Sequence, residues 1–453
     1  MDSGAAPDDP IEQRTSGAIV PVQGSRHVKR HRTWPQRLVL VFNSVVSIGL
    51  IGAGTVVYYA NNRLGDRKLV DINSAAEVQV PVIPSEDNPG GSAPATTDVA
   101  TTEPAVTEPL PPEAKKARNF LLTASDSREC IDPNSPYAGA FGTADIGERA
   151  DTIMVLRVDP SVEQAAILSF PRDLWVKIPQ RGSSRINSAL DKQNPNKLIE
   201  TLYLNFGIPV DHYINVDFCA FKGLVDAVDG VAIPFEYAAK DKNTGLNVDA
   251  PGCRTLKGDE ALAYVRSRHY QYQDPNTGKW KTDGTSDLGR ITRQQDFLKR
   301  TLQKAIDRGA RNPVVAKGLM DTFLKYVTTD SELTLKVMLD LANAMKDFDA
   351  NTVRSFQIEG KGVRKGNASV LQPQLNSQAM KDILRVFRGQ ATLLNLPAGL
   401  DPSLATTTTA SSSETTTTTT AAPASTDAAP PTSVVAVADN DKGIFPPDDP
   451  TCH

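Results

Sequence analysis

Arginine and aspartate recur together in four short segments of this chain. The segments are Ser125-Asp126-Ser127-Arg128, Phe170-Pro171-Arg172-Asp173, Arg266-Ser267-Arg268 and Asp287-Leu288-Gly289-Arg290. Arginine presents a planar fork of donors that stays charged, so a cluster of arginines predicts an anionic partner with several oxygens, most simply a phosphate or pyrophosphate. Aspartates beside the arginines would hold a cation. We therefore expect the four segments to meet in one pocket.

Two of the aspartates stand at the ends of predicted strands. Asp126 follows an apolar run at 119–123, and Asp151 follows Arg149 and precedes the next apolar run. In open α/β sheets ligands collect beyond the carboxyl ends of strands. Two such carboxylates suit Mg²⁺, which completes its shell with waters and substrate phosphates. The alternative for an aspartate at a strand end is a turn or capping role.

The arginines have structural alternatives of their own. Pro171 fixes the backbone before Arg172, which would then point from a rigid position, although an ordinary surface arginine is the alternative. Arg266 and Arg268 project from one face only if their segment is extended. Otherwise they are cations at the carboxyl end of a helix, where they stabilise its dipole.

A helix that begins near Asp287 offers a further arginine and an amide. Arg290 and Gln294 lie four residues apart, so they share one helical face, whereas Arg293 is expected to be solvated. Arg185 is an additional candidate, with plain exposure as its alternative.

Several function classes find no support in the sequence. The net charge of −4 and pI near 5.8 argue against a nucleic-acid partner. Motifs for a phosphate-binding P-loop, a dinucleotide-binding turn and a serine esterase are absent from the sequence. The five histidines have no metal-ligand spacing. His269 is a candidate proton carrier beside Arg268, and simple exposure is the alternative.

An uncharged stretch from Leu38 to Tyr59 is long enough, as a helix, to cross a hydrocarbon layer of about 30 Å. Basic residues precede it, so we expect a single transmembrane helix at 37–60 with a cytoplasmic N-terminus and an extracytoplasmic, membrane-anchored remainder. A cleaved signal peptide is the alternative, but its apolar part is normally shorter.

Four cysteines follow the predicted span: Cys130, Cys219, Cys253 and Cys452. An even number in an oxidising compartment predicts two disulfides, and the lack of a C-x-x-C spacing disfavours zinc. Three pairings are open. We favour Cys219 with Cys253 and Cys130 with Cys452.

Composition divides the chain into regions. We expect a disordered cytoplasmic tail at 1–36, a linker at 61–116 with an edge strand at Lys68–Ile72, a folded domain at 117–395 and a Thr/Ser/Pro/Ala-rich disordered tail at 396–453, whose end could tie back to the domain. The predicted strands are 119–123, 152–158 and 164–170, the last two forming a hairpin. Helices are predicted at 197–206, 218–228, 258–264, 288–306 and 333–345. This order indicates an α/β fold, specifically an α/β/α sandwich.

Over residues 117–305 the chain resembles the LytR-CpsA-Psr family of extracytoplasmic cell-wall glycopolymer transferases. The resemblance is carried by the ordered motifs LLTASDSR, ERADTIMVLRVD, SFPRDLWVKIP, RINSAL, LVDAVDGV, LKGDEALAYVRSRH and DLGRITRQQ. It implies a phosphotransferase that binds a polyprenyl-pyrophosphate-linked glycan, with the lipid in an apolar tunnel. The glycan phosphate would pass to a peptidoglycan hydroxyl.

The resemblance also implies residue roles. Asp126 and Asp151 would hold Mg²⁺, and Arg172, Arg266 and Arg268 would be catalytic. The pyrophosphate would be surrounded by Arg128, Arg149, Arg172, Arg185, Arg266, Arg268, Arg290 and Gln294.

Two features depart from the family pattern. The glycine usual before the Ser-Asp motif is Ala124, and a polar stretch from Tyr270 to Ser286 containing Trp280 separates two of the arginine segments. That stretch resembles actinobacterial versions, which makes arabinogalactan the first expected polymer and a lid or acceptor contact its expected role. A prenyl-pyrophosphate-binding protein without transferase activity and a lipid pyrophosphatase are the alternative functions.

Overall fold

A mixed sheet of seven strands forms the centre of the fold. The structure is a computed structural model that describes residues 67–73, 116–125, 130, 134–135, 137, 152–191, 194–309, 313–393 and 433–452. The strands are β1 (Lys68–Val70), β2 (Arg118–Ser125), β3 (Thr152–Asp159), β4 (Gln164–Ser169), β5 (Trp175–Ile178), β6 (Gly182–Arg185), β7 (His212–Asp217), β8 (Val231–Phe235), β9 (Ala239–Asp241), β10 (Leu246–Val248), β11 (Gly252–Leu256), β12 (Gln271–Gln273), β13 (Trp280–Thr282), β14 (Val327–Asp330), β15 (Arg354–Gln357), β16 (Gly360–Lys365), β17 (Ala368–Pro373), β18 (Ala391–Leu393) and β19 (Ser433–Val435). The helices are α1 (Asn196–Phe206), α2 (Phe218–Ala227), α3 (Gly258–Arg266), α4 (Asp287–Gly309), α5 (Pro313–Tyr326), α6 (Leu335–Ala344) and α7 (Gln378–Phe387).

The strands of the central sheet follow the order β1-β14-β7-β2-β3-β4-β15. β7 pairs parallel with β2, whereas β3 pairs antiparallel with both β2 and β4. The predicted hairpin of β3 and β4 is therefore confirmed. So is the predicted edge strand at Lys68–Ile72, because β1 pairs with β14 at one edge of the sheet.

The apolar residues of the central strands alternate between two cores. Leu121, Val155 and Leu168 lie in a core shared with α1 and α7. Phe120 and Met154 lie on the other face, where residues of α6 and α4 respectively pack. Because helices cover both faces, these strands are nearly continuous apolar runs in the sequence. The predicted α/β/α sandwich is confirmed.

All five predicted helices are found where they were expected, as α1, α2, α3, α4 and α6. The helices α5 and α7 and the strands from β5 to β19 were not predicted from the sequence. The stretch from Tyr270 to Ser286 contains the hairpin of β12 and β13, which pairs with β9 to form a second sheet in the order β10-β9-β12-β13.

Several strand ends meet along one edge of the central sheet. Ala124, near the end of β2, pairs with Thr152 at the start of β3. Ser125 pairs with Asp217, where β7 ends. β4 ends beside β3, with Ser169 opposite Met154 in the register. The chain therefore leaves β2, β4 and β7, and enters β3, at this one edge. The motifs in the sequence predict the site at the same edge.

All four cysteines form disulfides, as predicted, but the favoured pairing was wrong. Cys130 is bonded to Cys219 and Cys253 to Cys452. Cys130 follows β2 and Cys219 begins α2, the helix that follows the neighbouring strand β7. Cys253 lies in β11, which pairs with β8. The first pair therefore follows from two neighbouring strands, and the second joins β11 to the C-terminal segment.

Residues 433–452 pack on the domain and correct the expectation of a disordered tail from residue 396 to the end. β19 pairs parallel with β18, and Val435 is buried in the core. Asp439 forms a buried ion pair with Arg354 at 2.6 Å. Composition was misleading here because a Thr-rich stretch separates this short apolar segment from the rest of the domain.

Among the described residues, the structure has no helix that is both long and apolar enough to cross a bilayer. The predicted span at 37–60 lies outside the described residues and stays a prediction.

The disulfide pairing can be tested by mapping peptides of the non-reduced protein. Trypsin places the four cysteines on four different peptides, at residues 129–149, 198–222, 243–254 and 443–453. We expect mass spectrometry to find the first peptide joined to the second and the third joined to the fourth. A cross-link between 198–222 and 243–254 would contradict the structure.

The attachment of the C-terminal segment can be tested at Arg354. Its side chain is only 3% exposed and Asp439 is its partner, so Arg354→Ala leaves a buried carboxylate with Lys299, at 3.9 Å, as its remaining cation. We expect a loss of about 3–5 kcal/mol in the free energy of unfolding, measured by urea denaturation. The control is Arg308→Ala, which removes an exposed ion pair with Asp229 and should cost less than about 1 kcal/mol. Equal losses in the two variants would show that the segment does not stabilise the domain.

Candidate functional site

Arg172 stands in a turn that begins where β4 ends. The backbone N–H of Phe170 still donates to the carbonyl of Ile153 at 2.9 Å, and the chain then turns, with the N–H of Leu174 donating to the carbonyl of Pro171 at 3.0 Å. The Nε atom of Arg172 lies 3.6 Å from Oδ2 of Asp173. The proline and the strand thus present this guanidinium at the predicted edge of the sheet.

Arg268 is positioned by a buried carboxylate on the second sheet. α3 ends at Arg266, and Ser267 is extended. Asp241, in β9, accepts hydrogen bonds from the Ser267 hydroxyl at 2.6 Å and from the His269 N–H at 2.9 Å. These two bonds fix the turn that carries Arg268. Sequence analysis missed Asp241, and no local pattern in the sequence indicates its role.

One oxygen of Asp287 is the meeting point of three arginines. Its Oδ1 atom lies 2.9 Å from Nη2 of Arg290, 3.0 Å from Nε of Arg268 and 3.9 Å from Nε of Arg172. Asp287 is the first residue of α4, and Arg290 lies one turn later, only 2% exposed. The sequence indicated Asp287 as part of one of the four arginine–aspartate segments and of a helix start. Its position between three of the predicted arginines was not foreseen.

Asp173 extends this group to a fourth arginine. Nε of Arg185 lies 3.2 Å from Oδ1 of Asp173, and an Nη atom of Arg185 donates to the carbonyl of Ser369 at 2.9 Å. Among the residues that the structure describes, the four guanidinium groups of Arg172, Arg185, Arg268 and Arg290 share two carboxylates. Within this group of six residues the positive charges exceed the negative charges by two. We call these six residues the arginine cluster.

The arginine cluster is open to solvent on one side. The side chains of Arg172, Arg185 and Arg268 are 29%, 38% and 24% exposed. The arginines of this positively charged cluster are held by carboxylates and are partly exposed to solvent. Such a cluster can accept an anion without a large rearrangement. Several oxygens on that anion could be bound at once, since each guanidinium offers more than one donor.

Arg266 and Gln294 have contacts that differ from those of the arginine cluster. The guanidinium of Arg266 lies 4.6 Å from the centre of the Phe218 ring, a cation–π contact. The amide of Gln294 donates to the carbonyl of Val265 at 3.1 Å and accepts from the Thr152 hydroxyl at 3.2 Å. Gln294 therefore joins the start of β3 to the end of α3, and it positions the site whether or not it also touches a ligand.

Arg293 was expected to be solvated, and the structure contradicts this. Its side chain is fully buried and lies 3.0 Å from Asp283. It also donates to the carbonyls of Ser267 and Ile444, at 2.8 and 2.9 Å. The face of α4 that looked amphipathic is covered by the second sheet and the C-terminal segment, which the sequence did not place there.

Asp283 is held as a carboxylate in this junction. Burial alone would raise its pKa, but hydrogen bonds from Thr285, the Ile444 backbone N–H and Arg293 together lower the pKa of Asp283 below its usual value. The pair of Asp283 and Arg293 thus connects the turn after β13 to α4. This turn is close in the sequence to Asp287.

Other predicted site residues are placed elsewhere or lie outside the described residues. His269 is exposed, and its ring contacts the amide of Asn243 at 2.7 Å, in keeping with the simple exposure given as its alternative. Asp126, Arg128, Arg149 and Asp151 lie outside the described residues. Among the residues that are described, no group of three histidines, cysteines or carboxylates could hold a metal ion.

A separate cavity of about 860 Å³ lies between α4 and the C-terminal segment. Charged side chains from both elements line it, including Asp296, Lys299, Arg300 and Asp441. Burial raises the pKa of Asp441 to about 6. A lining of this kind does not suit a polyprenyl chain, which needs apolar walls.

Comparison with known proteins gives consistent matches. The LytR_cpsA_psr family model matches residues 89–385. The probable cell wall biosynthesis protein LcpB of Corynebacterium glutamicum is 33% identical over 192 residues, 42% of this chain and 42% of that protein. The chain thus spans less than half the length of this relative.

Two further similarities extend the comparison. The polyisoprenyl-teichoic acid–peptidoglycan teichoic acid transferase TagU of Halalkalibacterium halodurans is 30% identical over 250 residues, 55% of this chain and 71% of that protein. The solved structure of a LytR-Csp2A-Psr enzyme from Actinomyces oris superimposes with a TM-score of 0.46 and 23% identity, covering 61% of this chain and 90% of that one.

The Asp287 carboxylate supplies the negative charge between three arginines when no anion is bound. This role can be tested by Asp287→Asn. The change leaves three arginines around a neutral amide, so we expect a lower melting temperature in a buffer without multivalent anions. Added pyrophosphate should raise the melting temperature of the variant more than that of the wild type, because the anion replaces the lost carboxylate. The control is Asp340→Asn, which neutralises an exposed carboxylate paired with Lys336. If pyrophosphate stabilises the Asp287 variant no more than the wild type, the anion does not replace the Asp287 carboxylate.

Proposed function

This chain belongs to the LytR-CpsA-Psr family, and from that premise we propose that it is a transferase moving a glycopolymer from a polyprenyl-pyrophosphate carrier onto peptidoglycan. The observation that carries the proposal is the arginine cluster, in which one oxygen of Asp287 lies within 3.9 Å of Arg172, Arg268 and Arg290. A lipid-linked pyrophosphate presents several anionic oxygens on adjacent phosphorus atoms. The guanidinium groups of the arginine cluster can donate to several of these oxygens at once.

The proposed reaction is a phosphoryl transfer. A hydroxyl oxygen of peptidoglycan forms a bond to the phosphorus that carries the glycan, and the bond between that phosphorus and the bridging pyrophosphate oxygen breaks. Polyprenyl phosphate leaves, the hydroxyl proton is released, and the glycan stays linked through a phosphodiester. Catalysis of this kind depends mainly on positioning and on neutralising charge.

Arg172 and Arg268 are the arginines proposed to act on the reacting phosphates. Both are partly exposed and both are aimed by rigid elements, the end of β4 for Arg172 and the turn held by Asp241 for Arg268. Arg290 is buried, so it would stabilise the phosphates from the interior of the protein. Arg185, Arg266 and Gln294, with Arg128 and Arg149, are proposed to complete the pyrophosphate site.

We propose that Asp126 and Asp151 hold Mg²⁺. Their neighbours in the chain support this, because Ser125 ends β2 and Thr152 begins β3, and these strands pair with Ala124 opposite Thr152. Two carboxylates beside a pyrophosphate are a donor set that Mg²⁺ prefers. When bound, the ion would neutralise phosphate charge.

The substrate and location are also proposals. LcpB is named for cell wall biosynthesis and TagU for teichoic acid transfer, which supports a wall polymer as the donor glycan. We propose arabinogalactan or a similar polymer. The uncharged stretch at Leu38–Tyr59 supports a single membrane anchor, with the domain on the outer side of the membrane.

The proposal is tested with the full-length protein in detergent, Mg²⁺, a polyprenyl-pyrophosphate oligosaccharide and peptidoglycan fragments. We expect a phosphodiester-linked glycan, detected by mass spectrometry. Arg172→Ala should slow its formation about 100-fold, the usual effect of removing one preorganised donor. The control is Arg364→Ala, an exposed arginine on β16. Asp126→Asn with Asp151→Asn, and EDTA on the wild type, should each lower the rate.

The same assay separates the other functions. Lipid binding without transfer or hydrolysis would show a carrier-binding protein. Release of polyprenyl phosphate without a linked glycan would show a pyrophosphatase that uses water. An unchanged rate in Arg172→Ala would contradict the proposed site, and an unchanged rate in EDTA would contradict the proposed metal.

A further inference from the structure

The second sheet has one buried and one exposed face. Ala239, Leu246 and Val248 point inward and belong to the apolar core beneath it. Residues opposite each other in the register project to the same side of a sheet, and neighbours along a strand project to opposite sides. Lys240, opposite both Asn247 and Gln271, therefore belongs to the outward face.

The outward face consists of hydrogen-bonding side chains and one large aromatic ring. Gln271 lies opposite Thr282, and Gln273 lies opposite Trp280. The face therefore contains Asn247, Lys240, Gln271, Gln273, Thr282 and Trp280, which we call the hairpin platform. Trp280 is 39% exposed, a large value for a tryptophan. None of the strand residues that define this face is a carboxylate, but the Asn247 amide donates to Oδ1 of Asp249, just beyond β10, at 2.7 Å.

The ring of Trp280 is held in place. Nζ of Lys240 lies 3.6 Å from the ring centre, and the side-chain amide of Gln273 donates to the carbonyl of Gly278 at 2.9 Å, within the β12–β13 loop. The Lys240 ammonium thus covers the centre of one face of the indole and orients it, the Gln273 contact fixes the adjoining loop, and Trp280 remains 39% exposed. An exposed aromatic ring whose orientation is fixed is a surface against which a flat apolar face can stack at small entropic cost.

These features are those of a carbohydrate-binding surface. A pyranose ring has an apolar C–H face that stacks on an aromatic ring and an edge of hydroxyl and acetamido groups that needs both donors and acceptors. Side-chain amides supply both. Lys240 adds a positive charge, which favours a glycan that carries carboxylates.

Short segments of the chain connect the hairpin platform to the arginine cluster at both ends of the hairpin. β12 begins three residues after Arg268, and β13 ends five residues before Asp287. The junction is rigid, because Arg293 joins Asp283 to the turn at Ser267. A polymer lying on the hairpin platform is thus bound beside the site proposed for pyrophosphate.

We propose that the hairpin platform binds the acceptor, a peptidoglycan glycan strand. This rests on the proposed function and names the surface that the acceptor uses. Peptidoglycan is a continuous network that cannot enter an enclosed pocket, so only an open face can bind it. The donor, in contrast, is fixed by its pyrophosphate on the arginines. The acetamido and carboxylate groups of a peptidoglycan strand match the amides and Lys240.

The test is co-sedimentation of the full-length protein, in detergent, with purified peptidoglycan and no donor. Trp280→Ala should weaken binding about tenfold, and Trp280→Phe, which keeps an aromatic ring, should restore most of it. The control is Tyr203→Ala, since Tyr203 is a similarly exposed aromatic residue (36%) on α1. Pyrophosphate binding, measured by thermal shift, should be the same in all variants.

The outcomes separate this inference from the proposed function. If wild type and Trp280→Ala sediment equally, the hairpin platform does not bind the acceptor, even where transfer is observed. If Trp280→Ala loses affinity for the lipid-linked donor but not for peptidoglycan, the proposal is wrong and the surface binds the donor glycan. Trp280-dependent sedimentation without any transfer activity would support the hairpin platform and count against the transferase.

Discussion

The site depends on repulsion between like charges. Arg172, Arg268 and Arg290 approach one oxygen of Asp287 within 3.9 Å, and guanidinium groups at this spacing would repel one another if no anion lay between them. The carboxylate makes the arrangement stable in the absence of a ligand. Among the residues that the structure describes, the four arginines of the cluster share the carboxylates of Asp173 and Asp287.

The remaining structure serves to keep the arginines from moving apart. The strand end and Pro171 fix Arg172, Asp241 fixes the turn of Arg268, and α4 carries Arg290. The pair of Arg293 and Asp283, both buried, joins α4 to the second sheet and to the C-terminal segment. Each of these supports comes from a different part of the chain. A charge cluster of this kind therefore requires the fold to be complete before it forms.

Much of the fold could be predicted because its signals are local. The central parts of β2, β3 and β4 are nearly continuous apolar runs since both faces of the sheet are covered, and α1 to α4 have periodic apolar positions. The arginines could also be selected, because each stands in a short motif with an aspartate, a proline or a helix start.

The pairings could not be predicted, because they depend on distant parts of the chain. The disulfides join residues separated by 89 and 199 positions, and nothing near a cysteine reveals its partner. Arg293 looked solvated because the elements that cover it, β12–β13 and the C-terminal segment, were not foreseen. Asp241 and Asp287 are ordinary aspartates in the sequence. Their roles follow from which positive charges the folded chain brings to them.

The order of the last elements affects how the domain responds to proteolysis. Residues 394–432 separate β18 from β19, yet β19 pairs with β18 and Cys452 is bonded to Cys253. A cut anywhere in that stretch would leave the C-terminal fragment covalently attached and still paired with the domain. The protein would then behave as two chains that separate only under reducing, denaturing conditions. Where disulfides persist, such a domain can lose the continuity of its chain and keep its fold.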